Sequence, residues 1–78
     1  MEQNRLIAEN LKRHRNAMGL TQADLAAKAG IAQPRIAELE RGDGDPRVST
    51  VGKIAEALGI STASLFIPVD LEIPQEVA

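Results

Sequence analysis

Cysteine is absent from this 78-residue chain, as are tryptophan and tyrosine, and there is one phenylalanine and one histidine. Without cysteine there is no disulfide framework, no thiolate metal site and no thiol chemistry, a usage that fits a reducing cytoplasm. The lone histidine, His14, has no second imidazole and no thiolate with which to share a metal, so a hydrogen-bonded residue at the edge of the core is expected there. The single aromatic, Phe66, leaves no platform for stacking unpaired bases, which disfavours single-stranded nucleic acid and RNA as partners. No apolar run approaches the roughly 20 residues that span a bilayer, and the N-terminal stretch lacks the apolar block of a signal peptide. The expectation is a soluble, cytoplasmic protein with no membrane contact, no metal and no cofactor. The carboxylates Glu38 and Glu40 have no nucleophile and no phosphate-cradling loop to work with, so an enzyme is not expected either.

What the chain does have is enough apolar material, 44% of its residues, for one core. Apolar positions recur from Ile7 to Phe66, which places one domain at 1–67 and a separate tail at 68–78. The net charge of −2 conceals an asymmetry: residues 1–41 carry seven Lys or Arg against five acids, and residues 42–78 carry two against six. Basic charge is therefore concentrated in the N-terminal half.

Hydrophobic spacing and terminal residues predict five helices and hence an all-α fold. Ile7, Leu11 and Met18 form the stripe of a first helix that Gly19 ends. Thr21 caps a second, short helix whose Leu25, Ala26 and Ala29 face inward before Gly30. Pro34, tolerated in a first turn, sets the start of a third helix over 33–41, with Ile36 and Leu39 sharing a face. Two glycines, two aspartates and a proline then make 42–47 a turn. Ser49 is the expected cap of a fourth helix with Val51, Ile54, Ala55 and Leu58 at i, i+3, i+4 and i+7. Ser61 is expected to cap a short fifth helix that returns Leu65 and Phe66 to the core, stopped by Pro68. The alternation of apolar and polar residues over 67–73 predicts an extended tail, either frayed or paired as a strand with another chain.

Two short helices joined by Gly30, Ile31 and Ala32 must cross steeply, which presents the second of them outward. With Ile36 and Leu39 turned in, a wheel at 100° per residue places Pro34, Ala37, Glu38 and Arg41 on the opposite face, flanked by Gln33 and Arg35. A helix of this kind fits a DNA major groove about 12 Å wide. The helix-turn-helix is thus expected over 21–41, with double-stranded DNA as the partner.

The run GLTQADLAAKAG from Gly19 to Gly30, then IAQPRIAELERG to Gly42 and IAEALGI from Ile54 to Ile60, closely resembles the Cro/repressor (XRE-type) helix-turn-helix family over about residues 7–66. The resemblance implies the five-helix, lambda repressor-like DNA-binding domain and regulation of transcription as a homodimer. It implies phosphate contacts by Thr21, Gln22, Arg41 and Arg47, and base-edge contacts by Gln33, Pro34, Arg35 and Glu38, with a flanking phosphate the other target for Arg35. It also implies a dimer contact around Ile60, Ser61, Thr62 and Leu65, and an Arg15–Glu40 bridge between the ends of the first and third helices. Two features depart from the family pattern: His14 stands where an aliphatic residue is usual, and Asp43, Gly44 and Asp45 make acidic a loop that repressors often make basic. The other reading of the same chain is an antitoxin or phage-type accessory factor, whose main partner is a protein held by the tail.

Overall fold

In the computed structural model, which describes residues 2–68 and side chains from residue 4 onward, four α-helices are followed by one 3-10 turn. They are α1 (Glu2–Ala17), α2 (Gln22–Ala29), α3 (Gln33–Glu40) and α4 (Val48–Leu58), with the turn at Thr62–Phe66. No strand occurs among the described residues, so the all-helical class holds. The extended tail expected over 67–73 lies outside the described residues from position 69 onward.

The core is made of the apolar stripes read from the sequence. Leu11, Leu25, Ile36, Ile54 and Leu65 are wholly inaccessible to solvent, with Ile7, Leu39, Val51 and Leu58 close behind. α1 lies across α3 and the 3-10 turn, and α2 sits on both α3 and α4. The link between α2 and α3 depends on Gly30, whose φ of +71° lets the Ile31 amide turn back to the Ala26 carbonyl at 3.0 Å. That bond closes the helix end and drops Ile31 onto the core. Leu20 after α1 and Ile60 after α4 repeat the arrangement, bonding back to Arg15 and Ala55.

Three expectations need correcting. Met18 is not part of the α1 stripe: the helix ends at Ala17, so position 18 lies in the terminal turn, off the wheel, and is 46% exposed. The buried residue that the stripe did not include is Asn10, fully inaccessible to solvent. The Asn10 amide donates to the carbonyls of Leu65 at 3.0 Å and Ile67 at 2.7 Å, while its oxygen accepts from Arg13 at 3.2 Å. A buried amide is tolerated when its groups are paired in this way. The polar residue three positions after Ile7 was visible in the sequence; that it ties down the end of the fold was not.

Ser49 does not cap α4. The N-cap is Arg47, in extended conformation directly after Pro46, and its carbonyl already accepts the Val51 amide at 3.0 Å. Starting two residues later would leave the inward stripe unchanged, so hydrophobic spacing could not fix this boundary.

The fifth helix is a 3-10 turn of five residues. With a stop at Pro68 the segment is too short to recover the cost of nucleating an α-helix, and the tighter i→i+3 turn still delivers Leu65 to the core. Ser61 occupies its N-cap position, but its hydroxyl lies 3.0 Å from the Ser64 hydroxyl and makes no side-chain cap.

Candidate nucleic-acid interface

The start of α2 is a complete capping box. The Asp24 amide donates to Thr21 Oγ1 at 2.9 Å, and the Thr21 amide donates to Asp24 Oδ2 at 3.0 Å. Bonds from the Thr21 amide, then from its hydroxyl side, hold the Asp24 carboxyl below its ordinary pKa. The sequence signal for the box, an acid three residues after the capping threonine, was present but only the cap itself was read from it.

Behind the box, three helices are joined by one buried carboxylate. Glu40, at the end of α3 and 7% exposed, accepts Arg15 Nε at 2.5 Å on Oε2 and Arg15 Nη2 at 3.0 Å on Oε1. Gln22 of α2 adds a third donor to Oε1 at 3.0 Å, and the remaining arm of Arg15 reaches the Leu20 carbonyl at 2.7 Å. Burial opposes the charged form of Glu40, yet the hydrogen bonds from Arg15 and Gln22 and the positive charges of Arg15 and Lys12 prevail and lower its pKa. The same hydrogen bond, working against burial and aided by the charge of Glu40, raises that of Arg15. The Arg15–Glu40 bridge implied by the resemblance is therefore present, and Gln22 belongs to it. His14, one residue before, is half-buried with its pKa lowered first by desolvation and then by Arg13.

α3 rests on Ile36 and Leu39, and its other side is open. Gln33 and Pro34 are exposed; Ala37, Arg35 and Glu38 are partly covered. Arg35 and Glu38 bind each other, Nη1 to Oε1 at 2.6 Å, and Arg35 Nη2 lies 3.4 Å from the Asp45 carbonyl. Arg41, the C-cap, is exposed and pairs with Asp43 at 3.1 Å. It shares a shallow cleft with Arg5, Glu9, Lys12 and Glu40. Arg47 is exposed at the start of α4, with no ion pair among the described residues.

The four base-contact candidates thus share one short helix. Thr21 and Gln22 lie at the start of α2, and Arg41 and Arg47 bracket the loop after α3. Of the dimer candidates, Ser61 and Thr62 are exposed and Ile60 is half-buried against the core. Leu65 is a correction: its side chain is fully enclosed in the chain's own core and offers nothing to a second copy. Among the described residues no three of His, Cys, Asp and Glu cluster as metal ligands, and no helix is long and apolar enough to cross a membrane.

Comparison with known proteins agrees with this architecture. A helix-turn-helix family model, HTH_3, matches residues 11–65. An uncharacterized HTH-type transcriptional regulator, y4dJ, from Sinorhizobium fredii is 39% identical over 70 residues, covering 90% of this chain and 91% of the relative. A chain named for an antitoxin, HigA2, from Mycobacterium tuberculosis is 43% identical over 53 residues, 67% of this chain and 52% of its own length. Among solved structures, the restriction-modification controller protein C.AhdI from Aeromonas hydrophila superposes with a TM-score of 0.78 at 30% identity, over 81% of this chain and 96% of that one. With its two short helices seated on one core and the matched segment spanning all but the first turns of α1, the chain belongs to the HTH_3 helix-turn-helix family, the XRE-type DNA-binding fold of transcriptional regulators.

Proposed function

We propose that this chain is a sequence-specific, double-stranded-DNA-binding transcription regulator that acts in the cytoplasm as a repressor-like homodimer and inserts α3 into the major groove. The observation that carries the reading is the two-sidedness of α3: Ile36 and Leu39 are 0% and 2% exposed, while Gln33 and Pro34 stand in solvent with Arg35 and Glu38 beside them. Gln suits adenine, Arg guanine, and Glu accepts from cytosine, so the arginine–glutamate pair would trade its mutual bond for base edges. Thr21, Gln22, Arg41 and Arg47 supply the phosphate contacts that set register. Ile60, Ser61 and Thr62 form the dimer contact, and two half-sites about one helical turn, roughly 34 Å, apart follow from it.

The test uses a site selected from genomic DNA by the purified protein. Arg35→Ala weakens binding to that site by about 1–3 kcal/mol and relaxes its sequence preference. Gln22→Ala weakens selected and random duplexes alike, because a phosphate contact carries no base information. Equal losses on both DNAs for Arg35→Ala would remove it from base reading, and a flat response to salt would argue against phosphate engagement altogether.

A second reading, an antitoxin or accessory factor with a protein partner on the tail, is favoured by the identity to the HigA2 chain. Truncation after Ile67 separates the two. It keeps the Leu65 carbonyl and leaves a carboxylate oxygen at Ile67 to accept from the Asn10 amide, so the domain is expected to stay closed. The regulator reading expects DNA affinity within about threefold of the full chain, a change below about 1 kcal/mol. The partner reading expects a protein that co-purifies with the full chain to be lost.

A further inference from the structure

We propose that Asp43 is an internal competitor for the DNA backbone: by pairing with Arg41 it lowers the chain's affinity for phosphate and flattens the salt dependence of binding. The proposal rests on the DNA-binding reading above and deepens it. The Arg41 Nε–Asp43 Oδ2 pair is 3.1 Å long, and both side chains are 61% exposed, so solvent and a phosphate can reach it. Arg35, on the same helix, is engaged in a similar way by Glu38 and lies near the Asp45 carbonyl. The loop that supplies these acceptors is fixed in place. Asn4 of α1 donates to the Gly44 carbonyl at 2.7 Å and to Asp45 Oδ1 at 3.0 Å. Gly44, at φ +73°, lets the loop lie against the arginine, since a Cβ there would come within 3.0 Å of Arg35 Nη1. The acidic loop is therefore held against α3, and two arginines bordering its exposed face already have acceptors in the free chain.

The consequence is an exchange. A phosphate that takes Arg41 releases a counterion from the DNA, but it also strands Asp43, which draws a cation back from solution. Net ion release at this contact falls towards zero, and the affinity gained is reduced by whatever the internal pair was contributing.

The experiment is a cycle of four full-length proteins, wild type, D43N, R41Q and the double variant, titrated onto a random-sequence duplex at several salt concentrations. Thermal melts confirm that each is folded. D43N is expected to bind about threefold more tightly than wild type, the scale of an exposed ion pair. Its log affinity against log salt steepens by about 0.9, one additional released counterion. In the R41Q background the D43N gain disappears, because no guanidinium is left to free. An unchanged D43N affinity overturns the proposal, as does an equal gain with and without Arg41, which would mean only long-range repulsion by the acid. Absence of duplex binding in wild type and D43N alike, on selected as well as random DNA, defeats the DNA-binding reading itself, whereas binding without the cycle's coupling defeats only the role of Asp43.

Discussion

Glu40→Ala lowers the unfolding free energy by about 3–5 kcal/mol, the range for removing one partner of a buried ion pair. A domain of this size has roughly 4–12 kcal/mol in total, so the variant sits near the edge of folding at ambient temperature. The reason is what remains behind. Arg15, with 12% of its side chain exposed, would keep only the Leu20 carbonyl, and the Gln22 amide would lose its acceptor. Glu40→Gln keeps the shape and an acceptor oxygen but removes the charge, and is expected to fall between Glu40→Ala and wild type. Chemical denaturation with fluorescence from an attached dye, or far-ultraviolet circular dichroism, reads both. The pH dependence adds an independent check. The folded carboxyl titrates below its unfolded range, so in the interval between them the unfolded chain binds more protons and stability declines as pH falls. This contribution is fully present above the ordinary glutamate range and gone once pH has dropped through the folded value; the Glu40→Gln curve lacks it. DNA affinity per folded molecule should change far less than apparent affinity, and a Glu40→Ala protein that melts like wild type would deny the bridge any structural part.

Residue types whose packing is dictated by spacing were readable from the sequence, and those whose role depends on a distant partner were less so. The i, i+3, i+4 stripe of α4 and the pairing of Ile36 with Leu39 follow from helical geometry alone, and all of these residues are buried. The cap at Thr21 and the turn at Gly30 were equally local matters. Asn10 was missed because its worth lies in two carbonyls 55 and 57 positions away, which no window along the chain contains. The threefold coordination of Glu40 was only half visible. Resemblance supplied Arg15, but the reach of Gln22 across 18 residues needed the fold. The exit from α4 shows a different limit: the sequence correctly returned Leu65 to the core, yet the same inward placement that seals the domain removes that residue from a dimer contact. Spacing says which side chains turn inward; whether they meet their own chain or another is a tertiary fact. The acidic loop was seen as charge, whereas its grip on Arg41 and its closeness to Arg35 are products of the path that Gly44 and Asn4 give it.

The DNA-binding reading also predicts a sharp division between adjacent residues of α3. Ile36→Ala removes a fully buried branched side chain from α3, the helix that packs on α1 and α2, and should destabilise the fold by about 2–5 kcal/mol, the transfer and cavity cost of such a truncation. Ile36→Val, losing one methyl group, should cost about 0.5–1.5 kcal/mol. Arg35→Ala, one position away, removes only a partly exposed pair with Glu38 and should alter stability by less than about 1 kcal/mol. Binding reverses the order. Arg35→Ala is fully folded yet impaired on the selected site, and Ile36→Ala binds in proportion to its folded fraction, recovering as temperature is lowered from its melting point towards the stability maximum. If Ile36→Ala melted with the wild type, α3 would not be seated through this side chain, and the outward face that carries the functional reading would lose its physical support. If instead Arg35→Ala unfolded the chain, the arginine would be a structural brace and the base-reading role would have to pass to Gln33 and Glu38. A two-sided helix is what allows one eight-residue segment to hold the fold together and still present a surface to DNA.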